Sequence, residues 1–267
     1  MRLAATVMLL RPGLRSGFEV LMLERNAASA FAPNAYVFPG GAVDEWDAPE
    51  HMHGYLLGDD EASLGRTFRN VASPLLPTTC DRPSHDEGRA LLAAAARELF
   101  EEAGVLIVRT VDGALQHISA SDPAIARLRD ELRTHRRTFA SVLQELRVMS
   151  DSRELALFSH WVTPVGEARR FNAFFFLTCT HREHVASSDG TETTHARWFT
   201  PREALEEHSQ HRLTLIFPTI KHLERLASFD DLDALMVYAT TKPVITIAPD
   251  RTPAQEFSIP ASLEGAW

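Results

Sequence analysis

Arg97-Glu98-Leu99-Phe100-Glu101-Glu102-Ala103-Gly104-Val105 is the stretch on which the reading of this 267-residue chain turns. It closes the clearest helix in the sequence, residues 84–103. Ser84 with Glu87 three residues on makes a capping box. Leu91 to Ala96 are strong helix formers, and Gly104 stands where a C-terminal glycine cap belongs. At about 100° per residue, Glu101 and Glu102 lie about 300° and about 400° round from Glu98. Three carboxylates therefore leave one side of the helix within little more than a turn. Like charges at these spacings destabilise a helix by roughly 0.2–0.5 kcal/mol per pair, and the helix C-terminus disfavours anions further. The arrangement makes sense where cations neutralise it. Hard divalent ions such as Mg²⁺ take carboxylate oxygens and keep positions open for water and phosphates. The plainer alternative is a solvated acidic face paired with Arg97. Against it, Leu99, Phe100 and Ala103 flank the acids with apolar groups, and Phe38-Pro39-Gly40-Gly41 offers a glycine loop able to approach a ligand closely.

Working outward, residues 3–10 and 18–25 read as strands around a Gly/Pro-rich turn, Arg11 to Gly17. Tyr36-Val37-Phe38 is a short apolar run, and residues 42–83 an excursion with one short helix. Val105 to Val108 reads as a strand, and residues 122–148 as two amphipathic helices. Strands are expected at 156–163, 171–180 and Ala196 to Phe199, and helices from Pro201, over 213–227 and over 231–238. The tail 243–260 carries a strand candidate, Val244 to Ile247. Strands and helices mix without strict alternation, which predicts an α/β class with a mixed sheet flanked by helices.

Composition excludes several classes. Lys plus Arg number 27 against 36 Asp plus Glu, a net charge of −9. That argues against sequence-independent nucleic-acid binding, but not against a polyanionic substrate, because divalent cations invert the local field. Cys80 and Cys179 are the two cysteines, which suits a reducing cytoplasm. Leu3 to Leu10 follows Arg2 but is short and lacks a small-x-small cleavage site, so it reads as a buried strand rather than a signal peptide. No run approaches a membrane span. The expected partner is a small nucleotide-derived molecule, with neither nucleic acid nor membrane.

The motif resembles the signature of the Nudix hydrolases: Gly, five residues, an acid, seven residues, then Arg-Glu-aliphatic-x-Glu-Glu-x-Gly-aliphatic. Gly41 and Asp47 match the first half, with Asp for the usual Glu, and Arg97 to Val105 match the second half throughout. Residues 48–96 number 49 where the family has seven, which leaves open whether Asp47 reaches the site. Leu21 to Arg25, Phe31 to Gly41, Trp161 to Pro164, Arg169 to Phe175, and Trp198 with Pro201 and Ala204-Leu205 resemble the branch holding the peroxisomal coenzyme A diphosphatase, as does the long insertion.

The resemblance implies a Nudix α/β/α sandwich with a mixed sheet and extra helices from insertions. Residues 1–240 would form the hydrolase domain, with insertions at about 48–83 and 122–148, and 241–267 a tail packed upon it. It implies metal-dependent hydrolysis of a nucleoside diphosphate linked to another group. Coenzyme A or acyl-coenzyme A leads, giving phosphopantetheine and adenosine 3′,5′-bisphosphate. An ADP-ribose or NADH pyrophosphatase and a non-catalytic nucleotide sensor stay open. Glu98, Glu101 and Glu102, with the Gly40 carbonyl, would bind Mg²⁺ or Mn²⁺, which polarise phosphorus and lower the pKa of water. Arg97 would orient a signature Glu. A signature Glu or Glu192 would serve as general base. Arg25, Phe38, Gly41 and Arg170 would face the substrate. A lid and a homodimer contact are both open for the 48–83 insertion.

Outside the motif, His51 with His53 and His181 with His184 lack companions at zinc-site spacing and read as surface histidines. Cys179 reads as core. The Phe171–Phe176 cluster reads as core too, with one face able to pack an adenine.

Overall fold

The computed structural model describes residues 1–14, 17–29, 32–68, 71–72, 82–252, 256–265 and 267. Phe31, Cys80 and part of the 48–83 insertion (69–70 and 73–81) lie outside the described residues. The chain opens with β1 (Arg2–Pro12), β2 (Phe18–Arg25), β3 (Ala35–Val37) and β4 (Gly40–Ala42). The insertion holds α1 (Pro49–Met52), β5 (Leu56–Leu57), α2 (Glu61–Thr67) and β6 (Val71–Ala72). Next come α3 (His85–Ala103), β7 (Val105–Thr110), β8 (Leu115–Ser119), α4 (Pro123–Arg133), α5 (Phe139–Leu146) and β9 (Val148–Asp151). The last third runs β10 (Ala156–Val162), β11 (Phe171–Cys179), β12 (Thr193–Phe199), α6 (Pro201–Ser209), β13 (Thr214–Leu215) and α7 (Phe217–Leu226). It ends with α8 (Leu232–Thr241), β14 (Val244–Ile247), β15 (Asp250–Arg251) and β16 (Phe257–Ser258).

The main sheet is mixed. Its path is β13-β3-β2-β1-β11-β10-β14-β6, with β12 on β2 and β4 on β1. β1 lies at its centre, parallel to β11 from Arg2↔Phe171 to Leu10↔Cys179. It reads as a nearly continuous apolar run because both faces are covered. Met8 and Leu10 face one core with Trp161, Phe175, Leu223, Leu226 and Leu235, beneath α6, α7 and α8. Ile259, Leu263 and Trp267 pack into that same core. Val7 and Leu9 face the other side with Leu91, Leu92 and Leu99 of α3.

A second sheet, β5-β9-β7-β8, covers the far side of α3. There Ala93 and Phe100 pack with Leu128 and Leu132 of α4 and Val142 and Leu143 of α5. The alanines of α3 let the helix sit between two sheets, which is why it is buried on nearly every side.

Three expectations change. Among the described residues, 42–83 hold two helices, a 3₁₀ turn at Glu45–Asp47 and two short strands rather than one short helix. Such two-residue strands carry no periodicity. Residues 213–227 are not one helix: Thr214 and Leu215 pair with Ala35 and Tyr36, and the helix begins at Phe217. Pro218 explains this, since it suits a helix's first turn and its ring and missing N–H bar a helical turn before it. The second sheet was not foreseen beyond β7, because β8 is polar and β9 is short and polar in part. Among the described residues no helix is long and apolar enough to cross a membrane.

Candidate active site

α3 delivers the acids because both its ends are fixed. Ser84 Oγ accepts from Glu87 N–H, and the Glu87 carboxylate accepts from Ser84 N–H at 2.9 Å. At the other end Gly104 takes φ +69° and its N–H reaches the Phe100 carbonyl at 2.9 Å. Packing takes Leu99, Phe100 and Ala103, leaving Glu98, Glu101 and Glu102 on the remaining side. That side is not solvated. The Glu98 and Glu101 side chains keep only 12% and 14% of their exposure, and Glu102 keeps 6%.

Glycines close the other wall. β4 takes up the place beside β1 that β2 vacates, pairing Ala5 with Gly41 and Thr6 with Gly40. A Cβ on Gly41 would come within 2.3 Å of Glu98 Oε1, and one on Gly40 within 2.5 Å of the Ala5 carbonyl. Only bare backbone fits there. Gly40 N–H donates to Glu102 Oε2 at 2.9 Å.

Arg97 organises the acids, using all five of its N–H donors. Nε and Nη2 grip the two oxygens of Asp47 at 2.8 Å each. Nη2 also reaches the Ala42 carbonyl, and Nη1 donates to Glu98 Oε1 at 2.9 Å and Glu101 Oε2 at 2.8 Å. Asp47 is fully buried, so the insertion does not carry it away from the site. The Glu45–Asp47 turn fixes it, with Asp44 N–H donating to Asp47 Oδ2. Burial works against the guanidinium's charge, but the hydrogen bonds and charges of Asp47, Glu98 and Glu101 more than reverse this and hold its pKa up.

Burial disfavours the charged form of all three carboxylates, and the surrounding cations and hydrogen bonds do not fully reverse this. Burial pushes Glu98 up to about 7 against the pull of Arg97, and Glu101's charge adds to the rise. Burial also raises Glu102 well above the usual carboxylate range, with Glu98 and Glu192 adding and the Gly40 bond and Arg25 opposing. Glu101 is raised by burial against Arg97. Among the described residues no three acid, histidine or cysteine side chains already converge as a coordination shell, since Glu98 and Glu101 turn toward Arg97 and Glu102 toward Gly40. The donor set nonetheless fits a hard divalent cation: three desolvated carboxylates within little more than a turn, with Glu101 raising Glu98 and Glu98 raising Glu102.

The structure thus brings together Arg97, Glu98, Glu101, Glu102, Gly40 and Gly41, with Arg25 and Glu192 near enough to act on Glu102. It does not bring Phe38 or Arg170. Phe38 is 3% exposed and meets His222 edge-on in the core. Its alternation along the chain points it there rather than at a ligand. Arg170 lies at the β10–β11 hairpin, where Nε donates to the Thr163 carbonyl, level with Arg2. The phenylalanines are filled on both sides: Phe174 stacks on His160, and Phe175 on His222. His184 is buried, not a surface residue, and shares Thr180 Oγ1 with His117. Cys179 is half-buried, its thiol pushed up to about 11 by burial.

Three contributors escaped the sequence reading. Arg129, Asp189 and Asn26 build the loop that presents Glu192. Asp189-Gly190 is a turn signal, but nothing in the sequence joins it to α4.

A family model, the NUDT19 Nudix domain, matches residues 1–226. The curated protein named acyl-coenzyme A diphosphatase NUDT19 from Homo sapiens is 32% identical over 242 residues, covering 84% of this chain and 64% of that protein. Its namesake from Xenopus laevis is 29% identical over 248 residues, covering 82% and 62%. The chain thus spans just under two thirds of the length of these two relatives. A crystal structure of a NUDIX hydrolase from Alicyclobacillus acidocaldarius superposes with a TM-score of 0.63 at 25% identity, covering 89% of this chain and 96% of that one. The helix-sheet-helix layers around β1 are therefore those of the Nudix fold, whose members generally use divalent metals. With the domain match spanning residues 1–226, the long insertion included, this chain belongs to the NUDT19 Nudix domain family.

Proposed function

We propose that this chain hydrolyses the pyrophosphate of coenzyme A or an acyl-coenzyme A, with Mg²⁺ or Mn²⁺, to adenosine 3′,5′-bisphosphate and phosphopantetheine or its acyl form. One observation carries the reading: a complete, desolvated carboxylate set at the end of α3, in a chain whose curated relatives are named acyl-coenzyme A diphosphatase. Glu98, Glu101 and Glu102 would hold the cation, with Gly40 at its edge. Bound there, a divalent ion supplies positive charge against the pyrophosphate oxygens and lowers the pKa of water.

The remaining work falls to the chain itself. Arg97 has no donor left for substrate, so it aims Glu98 and Glu101 and favours their ionised forms. Arg25, whose charge acts beside Glu102, suits a substrate phosphate. Glu192 takes the proton of the attacking water as its oxygen bonds to phosphorus and the bridging P–O bond breaks. The test is a hydrolysis screen with Mg²⁺ and Mn²⁺ over coenzyme A, acyl-coenzyme A esters, ADP-ribose, NADH and diadenosine polyphosphates. The expected result is adenosine 3′,5′-bisphosphate from the coenzyme A compounds at the highest kcat/KM. Preferential cleavage of ADP-ribose or NADH, or silence across the panel, overturns the substrate assignment.

A further inference from the structure

We propose that Arg129, on the helical insertion, is a positioning residue that clamps the end of the signature helix to the loop bearing Glu192. The inference rests on the hydrolase reading above only for its kinetic consequence. Arg129 is 8% exposed. Its Nε donates to the Glu101 carbonyl at 2.9 Å. Nη2 donates to the Ser187 carbonyl at 2.9 Å, and Nη1 to Ser187 Oγ at 3.0 Å and the Ser188 carbonyl at 3.4 Å. One planar group thus ties the C-terminal turn of α3 to the backbone leaving β11. The last carbonyls of a helix have no partner within it, and a guanidinium there satisfies one of them while countering the negative helix end.

The rest of the loop is built around this anchor. Ser187 N–H returns to the Ala103 carbonyl at 3.0 Å. Asp189 Oδ1 then accepts from the N–H groups of Thr191 and Thr193, and Oδ2 from Glu192 N–H at 3.2 Å. Arg133, one turn along α4 from Arg129, donates to Thr191 Oγ1 at 2.6 Å. Asn26, next to Arg25, receives the far side: its Nδ2 donates to the Thr191 carbonyl and its N–H to the Glu192 carbonyl, both at 2.9 Å. Gly104 makes room for the clamp, since a Cβ there would stand 3.0 Å from Arg129 Nη1. The inserted helix therefore sets the distance between the metal-binding acids and Glu192, without touching substrate.

Lysine at position 129 keeps the charge but cannot reach three carbonyls at once. Two readouts test the clamp on the intact chain. The first is amide exchange in Arg129→Lys: Thr191, Glu192 and Thr193 exchange at least ~10-fold faster while amides of β1 are unchanged, as expected for a local opening. This readout stands whether or not the chain is a hydrolase. The second is steady-state hydrolysis of coenzyme A by wild type, Arg129→Lys, Glu192→Gln and the double variant. Misplacing Glu192 lowers kcat by ~10- to 100-fold with KM within about twofold, and the double variant is no slower than Glu192→Gln alone. Unchanged exchange across 191–193, or a double variant slowed by the full product of the two single effects, overturns the clamp. A wild type that hydrolyses nothing but shows the exchange change overturns the hydrolase reading and leaves the clamp standing.

Discussion

Around Arg97, side chains are placed by one another rather than by secondary structure alone. Asp47 accepts from Nε and Nη2 of the guanidinium within the core, so Asp47→Ala leaves two buried donors without acceptors while Glu98 and Glu101 still face the charge. The expected loss is about 2–4 kcal/mol in urea unfolding, from buried donors left without acceptors, with kcat falling because the Arg97 that guides Glu98 and Glu101 is no longer held. A stability change within error would show that Asp47 is dispensable. Glu98 gives a pH signature. Its carboxyl is raised from 4.5 to about 7 by burial in the folded chain, so the folded state binds a proton that the unfolded state has already released. Stability therefore declines as pH rises from about 4.5 to about 7. Without metal, Glu98→Gln should be more stable than wild type above pH 7, with the gap closing toward pH 5. A gap independent of pH would contradict the assignment. Gly41→Ala sets a methyl against the Glu98 carboxylate, and should depress kcat far more than melting temperature.

At the scale of elements, α3 was legible, whereas the short turns and loops that bring distant residues to it were not. Ser84, Glu87, Gly104 and the alanine run specify the helix through local contacts, and these survive in any fold. The same locality made β1, β2, β10, β11, α4 and α5 readable. Asp47 was ambiguous because 49 residues separate it from Arg97, and the turn that returns it depends on Asp44 and on burial, neither visible as periodicity. Phe38 was misread because its neighbour Gly40 faces the site, whereas its own ring turns into the opposite core. The clamp from Arg129 crosses 58 residues to Ser187 and leaves no local mark. Gly104 belongs to this scale. Gly104→Ala forces an L-residue into a left-handed cap at roughly 1–2 kcal/mol, and crowds Ala120 and Arg129 besides. Thermal unfolding should show a clear fall in melting temperature. No fall would mean the helix end relaxes freely.

On the scale of the whole molecule, the site lies where two sheets share one helix. The main sheet packs on one side of α3 and the smaller sheet, with α4 and α5, on the other. Phe100 in the second contact is fully buried, and Phe100→Ala should cost about 3–5 kcal/mol in a single unfolding transition, because neither sheet can release α3 alone. Two resolved transitions would separate the sheets into independent units. The arrangement explains why the acids are held out of water and gathered at one helix end, ready for a cation and a polyanionic substrate. The most direct test incubates coenzyme A and Mg²⁺ with wild type and with Glu101→Gln, and identifies products by mass. Adenosine 3′,5′-bisphosphate is expected from wild type only when Mg²⁺ is present, with a rate at least ~100-fold lower from the variant lacking this carboxylate. Equal rates from the two proteins, or no product from wild type, would contradict that expectation.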